Sequence, residues 1–226
     1  MKKKQNNYNQ KFKIFGRKKG RKSVHNISTE TLDKYLVNLT TDFISKKIIL
    51  DIGSGNGEST LFLSQKYPNN LIIASEIYKD GNINLCQELH RHEINNVKIF
   101  NQNVLILFEE FKLDNLIKEI WILFPDPWPK KKHSKRRLIN SSFIEKVFYL
   151  LEENGKIYIA TDNSSYFISI LKTFYLSKLF KWNNDLPDKW DYNIYCGYKT
   201  KYFEKALRNN KKSFNCYFSK NITLEF

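Results

Sequence analysis

The strongest constraint on the fold is a rhythm of short apolar runs. "KKIILD" (46–51), "NLIIASE" (70–76), "NVKIFN" (96–101), "EIWILF" (119–124) and "KIYIAT" (156–161) all lack regular polar alternation. A strand with one wet face alternates apolar and polar residues, whereas one without alternation is covered on both faces. Helix-period segments lie between the runs, at 58–67 (stopped by Pro68), 80–93, 104–118 and 140–153. In the last of these Ser141 or Ser142 supplies the N-cap, and Phe143, Val147, Leu150 and Leu151 share a face. Gly155 follows where a helix stops. This order predicts an α/β fold with a mostly parallel, doubly wound sheet. The late runs "SFNCYFSKN" and "ITLEF" have no clear helix between them, which predicts an antiparallel C-terminal strand. Residues 28–45 read as a helical lead-in, with Leu32, Leu36 and Leu39 at helical spacing.

The charge is uneven. The formal net charge of the 226 residues is +15, and residues 1–22 hold ten Lys/Arg and no acid. We read residues 1–25 as a flexible basic arm and 26–226 as one domain. The balance favours an anionic partner, a nucleic acid or a membrane surface. "MKKK" is followed by polar "QNNYNQ" rather than an apolar core, and no apolar run approaches a bilayer span. Cys86, Cys196 and Cys216 are too scattered for a disulfide framework or a zinc site, which suits a reducing compartment. The expectation is a cytoplasmic protein with no membrane and no metal partner, either a monomer or a homodimer.

"LDIGSGNGEST" (50–60) lies between a strand and a helix. Gly53, Gly55 and Gly57 form G-x-G-x-G, but a dinucleotide fingerprint would need its last glycine where Glu58 stands, and no Walker lysine appears. An acid before the glycines, Asp51, suits a cationic ligand such as S-adenosylmethionine. Glu76 ends the second run, where a carboxylate accepts two ribose hydroxyls at once. Asn103 follows the third run, in reach of an adenine edge. The plainer alternative is that these are ordinary turn residues at strand ends.

"FPDPWPKKKHSKRR" (124–137) follows the fourth run. Pro125 and Pro127 fix two φ angles around Asp126, so the carboxylate is pre-positioned at low entropic cost. Trp128 offers a flat face for a base or for packing, and six Lys/Arg between Lys130 and Arg137 form a phosphate-binding rim. This segment resembles the signature of the bacterial tRNA (guanine-N7)-methyltransferases, the TrmB family. "FGRKKGR" (15–21), "DIGSGNGE", "ATD" (160–162) and "TKYFE" (200–204) are similar to further motifs of that family. Three positions depart from it: Asp51 stands where Glu is common, Asn103 where Asp is usual, and "TKYFE" is one residue longer than T-x-[FY]-E.

The resemblance implies a Rossmann-like, S-adenosylmethionine-dependent fold. It implies cofactor contacts at Asp51, Gly53, Gly55, Glu76, Asn103 and Asp126, with Asp126 catalytic. It implies tRNA contacts at Lys130, Asp162, Thr200, Lys201, Tyr202, Phe203 and Glu204, with Tyr202 and Phe203 both open for the aromatic slot. Methyl transfer to N7 of guanine 46 in the variable loop is the implied reaction. Two alternatives stand beside it. One is an amino-group methyltransferase acting on adenine or cytosine, whose D/N-P-P-aromatic loop Pro-Asp-Pro-Trp distantly echoes. The other is an RNA-binding subunit of the same fold without activity.

Overall fold

The computed structural model describes residues 27–37, 47–192 and 199–221. The basic arm, Leu39, Tyr195, Cys196, Tyr198 and "ITLEF" lie outside the described residues. The chain divides into two compact units. Among described residues the first comprises 27–37 and 50–113, and the second comprises 47–49, 114–192 and 199–221.

The first unit contains α1 (Thr29–Tyr35), the end of β1 (Ile48–Ile52), α2 (Glu58–Lys66), β2 (Leu71–Ser75), α3 (Lys79–Arg91), β3 (Val97–Phe100) and α4 (Val104–Glu110). Its strand order is β3-β2-β1, and β2 and β3 pair in parallel from Ile72↔Val97 to Ser75↔Phe100. Every residue of β1 and β2 is buried, as the absence of alternation requires. The lead-in helix is shorter than expected. It ends at Tyr35, whose ring is its buried anchor, and Leu36 is already extended and bridges Ile99. α4 also stops early, at Glu110 rather than 118. Phe111 is already extended, and Asp114 and Asn115 then make a turn, with Asn115 at φ 56°, so turn chemistry overrides the apolar spacing further on.

In the second unit the strand order is β1-β4-β5-β7-β6, with the start of β1 contributing Ile48 and Ile49. The elements are β4 (Ile117–Leu123), a 3₁₀ turn (Lys131–Arg136), α5 (Ser141–Leu150), β5 (Leu151–Thr161), α6 (Ser164–Ser177), β6 (Phe180–Trp182), α7 (Lys201–Arg208) and β7 (Phe214–Lys220). β4 and β5 are parallel, and β7 runs antiparallel to both β5 and β6, so the antiparallel C-terminal strand is present. The Ile48 N–H donates to the Leu116 carbonyl at 3.0 Å. Phe174 stacks flat on Phe218 at 3.8 Å, with Phe180 edge-on, as an aromatic core.

Two local expectations in this unit are corrected. The cap of α5 is Asn140, whose Oδ1 accepts from the Phe143 N–H at 3.1 Å. Gly155 terminates no helix. It sits inside β5, where the register with β4 slips between Ile117↔Leu151 and Glu119↔Lys156, and a Cβ there would lie 2.9 Å from the Glu152 carbonyl. The polar stretch 181–190 packs around one buried amide. Buried Asn184 accepts from Trp182 Nε1 and the Tyr217 N–H, both at 2.9 Å, and donates to the Lys189 and Asn215 carbonyls. No described helix is long and apolar enough to cross a membrane.

Candidate active site

The first unit builds a cradle at the ends of β1 and β2. Gly53 and Gly55 take φ values of +77° and +58°, a region that L side chains rarely adopt. The Gly53 N–H donates to the Ser75 carbonyl at 2.8 Å, which ties the turn to β2. A Cβ at either glycine would meet nothing within 4 Å, so the outer face of the turn is open. Its inner face is closed: a Cβ on Gly81 would lie 2.1 Å from the Gly55 carbonyl oxygen, so only glycine lets α3 press against the turn.

Two carboxylates fix this cradle. Glu76 Oε2 accepts from the Gly55 N–H at 2.9 Å, and Oε1 accepts from the Ile77 and Tyr78 N–H groups at 2.6 and 2.9 Å. Asp51 is 1% exposed, and its Oδ2 accepts from Ser59 Oγ and Thr60 Oγ1, both at 2.7 Å, on the first turn of α2. Burial dominates and raises its carboxyl from 3.8 to about 6; the two hydroxyls oppose that, and the Glu76 charge adds to it. Asn103 caps α4, its Oδ1 accepting from the Leu105 N–H at 3.0 Å. Ser54 Oγ and Asn82 Oδ1 are buried with no hydrogen-bond partner among the described residues. Orphaned polar atoms beside an open turn are what a polar ligand would satisfy.

The second unit carries the proline-bracketed acid. Phe124 and Trp128, one on each side of Pro-Asp-Pro, take φ values of 53° and 41°. For bulky aromatics this region costs on the order of 1–3 kcal/mol each, so surrounding contacts must hold it. The Phe124 N–H donates to the Ala160 carbonyl at 2.8 Å, and the Phe124 ring meets Tyr192 edge-on at 5.4 Å. Trp128 lies under the Arg136 guanidinium at 4.9 Å, with His133 at its edge. Its face is therefore used for packing. Asp126 between them is exposed, with no hydrogen bond or ion pair among the described residues. Lys130, Lys131, Lys132 and Lys135 are exposed beyond it.

The remaining predicted substrate residues lie in this unit too. Asp162 directly follows β5, and Lys211 Nζ reaches its Oδ2 at 3.6 Å. Thr200 is buried and caps α7, accepting from the Phe203 N–H at 3.1 Å. Lys201 is exposed on the first turn. Glu204 faces Arg208 at 3.6 Å on the same helix. Both ion pairs are long and partly solvated, so breaking either costs about 0–1 kcal/mol. The aromatic slot divides clearly. Phe203 is 1% exposed and packs with Ala160 and Tyr192, while Tyr202 is 61% exposed with its ring nearly parallel to Phe124 at 6.4 Å. Phe124 thus links three segments: the Asp126 turn, the end of β5 before Asp162, and the 200–204 motif. The sequence reading missed Gly81, and it grouped Arg137, whose Nε–H donates to the Pro127 carbonyl at 2.9 Å, with the phosphate-binding rim. A glycine three residues into a helix was the available signal for Gly81.

Comparison with known proteins points to a methyltransferase family and fold. A family described as "Putative methyltransferase" matches residues 45–216. The tRNA (guanine-N(7)-)-methyltransferase of Leptospira interrogans serogroup Icterohaemorrhagiae serovar copenhageni is 41% identical over 131 residues, covering 58% of this chain and 60% of that protein. The chain thus spans about three fifths of that relative's length. The protein of the same name from Wolbachia pipientis wMel is 32% identical over 189 residues, 81% of this chain and 82% of the other. Among solved structures, an antibiotic-related methyltransferase superposes with a TM-score of 0.55 at 16% identity, covering 88% of this chain and 96% of its own. An rRNA methylase from Streptococcus thermophilus gives 0.51 at 17% identity, covering 84% and 92%. At such identities the likeness concerns the fold alone, a Rossmann-like methyltransferase fold. The family match spans both the glycine turn and the proline-bracketed acid, and with the Wolbachia relative aligned over four fifths of each protein, the chain belongs to the bacterial tRNA (guanine-N7)-methyltransferase family, TrmB.

Proposed function

We propose that the protein transfers a methyl group from S-adenosylmethionine to N7 of guanine 46 in the tRNA variable loop. The observation that carries this reading is Asp126, an exposed carboxylate with no hydrogen bond or ion pair among the described residues, on a strained, proline-fixed turn beside the Asp162 strand end and the 200–204 motif. Family membership and the curated names of the relatives support the substrate. The net charge of +15, with ten Lys/Arg in residues 1–22, supports a polyanionic partner gripped by the arm.

The cradle fits the cofactor by its open glycine turn and its orphaned Ser54 and Asn82 atoms. Asp51, Gly53, Gly55, Glu76 and Asn103 would hold it. When bound, S-adenosylmethionine supplies an electrophilic methyl group on a cationic sulfonium. Glu76 keeps the glycine turn rigid through Gly55, and the acceptor capacity left on its Oε2 is assigned to a ribose hydroxyl. Asp51 anchors α2 beneath the turn and is assigned a cofactor contact.

Guanine N7 bears an in-plane lone pair and no proton, so no general base is required. The work left to the protein is alignment and electrostatics. Asp126 is assigned to the reacting centre, where its charge stabilises the positive charge that develops on guanine. Asp162 and Glu204 are assigned to accept from guanine N1–H and the N2 amino group, releasing Lys211 and Arg208 to do so. Adenine lacks both donors in that arrangement, which selects guanine. Lys130 is assigned to a nearby phosphate or the O6 edge. Tyr202 is the exposed ring of the motif and is assigned to stack on a base, whereas Phe203 supports α7 from the core. Lys201, exposed on the same turn, is assigned to the backbone of the RNA.

The test is incubation with methyl-labelled S-adenosylmethionine and unmodified tRNA, followed by nucleoside analysis. Label in 7-methylguanosine is expected. Label in N6-methyladenosine or a methylcytosine would favour an amino-group methyltransferase, and no label would favour a binding subunit.

A further inference from the structure

We infer that Arg137 is a positioning residue that holds the Asp126 turn, rather than a phosphate ligand of the basic rim. This inference rests on the methyltransferase reading above. Six Lys/Arg follow Trp128, and by charge alone they are equivalent. Their surroundings separate them. Lys130, Lys131, Lys132 and Lys135 are exposed, while Arg136 and Arg137 are partly buried and turned back onto the protein.

Among the described residues the Arg137 side chain makes three contacts. Its Nε–H donates to the Pro127 carbonyl at 2.9 Å, one residue past Asp126. Its guanidinium lies 4.8 Å from the centre of the Tyr166 ring, and an Nη reaches Ser165 Oγ at 3.5 Å. Tyr166 is fully buried in α6, and the Ile139 N–H donates to its hydroxyl at 3.4 Å. The platform under the guanidinium is therefore rigid and cannot itself touch RNA. The Pro127 carbonyl belongs to the peptide leading into Trp128, the residue held at φ 41°. A donor fixed on that oxygen sets the plane of that peptide, and so the direction in which Asp126 projects. The planar fork matters as much as the charge: an ammonium has neither the flat face that stacks on Tyr166 nor the fixed Nε geometry.

The experiment compares the full-length wild type with Arg137→Lys and Arg137→Ala in steady-state methylation of tRNA. Salt-dependent tRNA binding is measured alongside, as is trypsin cleavage after Lys130–Lys135 with no substrate present. A misplaced catalytic group can cost up to about 100-fold. Both variants are expected to lose about tenfold or more in kcat, with the KM for tRNA within about twofold of wild type and an unchanged salt slope. Both should be cut faster by trypsin. If Arg137→Ala does not fold, Arg137→Lys carries the test, because it keeps the charge and the stem. The inference is overturned if Arg137→Lys retains wild-type kcat. It is also overturned if Arg137→Ala flattens the salt slope by roughly 0.7–0.9, the loss of one phosphate contact. A wild type that methylates no guanine would sink the underlying reading instead, and the trypsin comparison would still report on the clamp.

Discussion

Replacing Asp51 by Asn should make the protein more stable at neutral pH and less able to hold its cofactor. The carboxylate is buried, and its pKa rises from 3.8 to about 6 chiefly through desolvation. A folded-state value above the unfolded one means that the folded chain binds the proton more tightly. The stabilisation from that proton is full below about 3.8 and is lost as pH rises through about 6. A gap of about two pH units corresponds to roughly 3 kcal/mol. Asparagine never ionises, and its Oδ1 still accepts from the Ser59 and Thr60 hydroxyls that meet Asp51 Oδ2 at 2.7 Å. Other carboxylates add their own pH slope, but it cancels when the two proteins are compared at each pH. Urea unfolding of both, from about pH 4 to about pH 7.5, gives that difference. The stability of Asp51→Asn minus that of wild type should rise by about 2–3 kcal/mol across the range. A flat or falling difference would refute the claim that an ionised Asp51 is held in place against its own burial. Calorimetric binding should show at least about tenfold weaker S-adenosylmethionine affinity, the loss of a charged hydrogen bond.

Three further outcomes are expected. Asp126→Asn should lower kcat by about 100-fold or more with little change in tRNA affinity, whereas equal losses in both would make Asp126 a docking residue. Gly81→Ala sets a methyl 2.1 Å from the Gly55 carbonyl oxygen, so it should cost roughly 1–3 kcal/mol in denaturant unfolding. An unaltered midpoint would show that the turn and α3 separate freely. Deleting residues 1–22 should weaken tRNA binding and flatten its salt dependence, and an unchanged slope would remove the arm from the interface.

Much of the fold was legible because strands covered on both faces leave a plain mark. The apolar runs became β1 to β5 within a few residues, and the polar or acidic groups that end them became the candidate site. What was not legible depended on tertiary contacts. Gly155 carried the usual mark of a helix end, yet it serves a bulge whose shape is set by pairing with β4. The apolar spacing through residue 118 ignored both the extended Phe111 that ends α4 and the turn at Asp114 and Asn115 beyond it. Tyr202 and Phe203 are chemically alike, and only the packing of α7 on Ala160 and Tyr192 tells the buried ring from the exposed one. The basic run hid two roles under one charge. Arginines folded back on Trp128 and Tyr166 look the same in a sequence as lysines facing water.

The most direct test of the central claim is the position of the methyl group. Unmodified tRNA is treated with the protein and S-adenosylmethionine, then reduced with borohydride and cleaved with aniline, which breaks the chain at N7-methylated guanine. A single scission at guanine 46 is predicted, absent when the cofactor is withheld. An intact chain, or incorporated methyl groups without scission, would contradict the account.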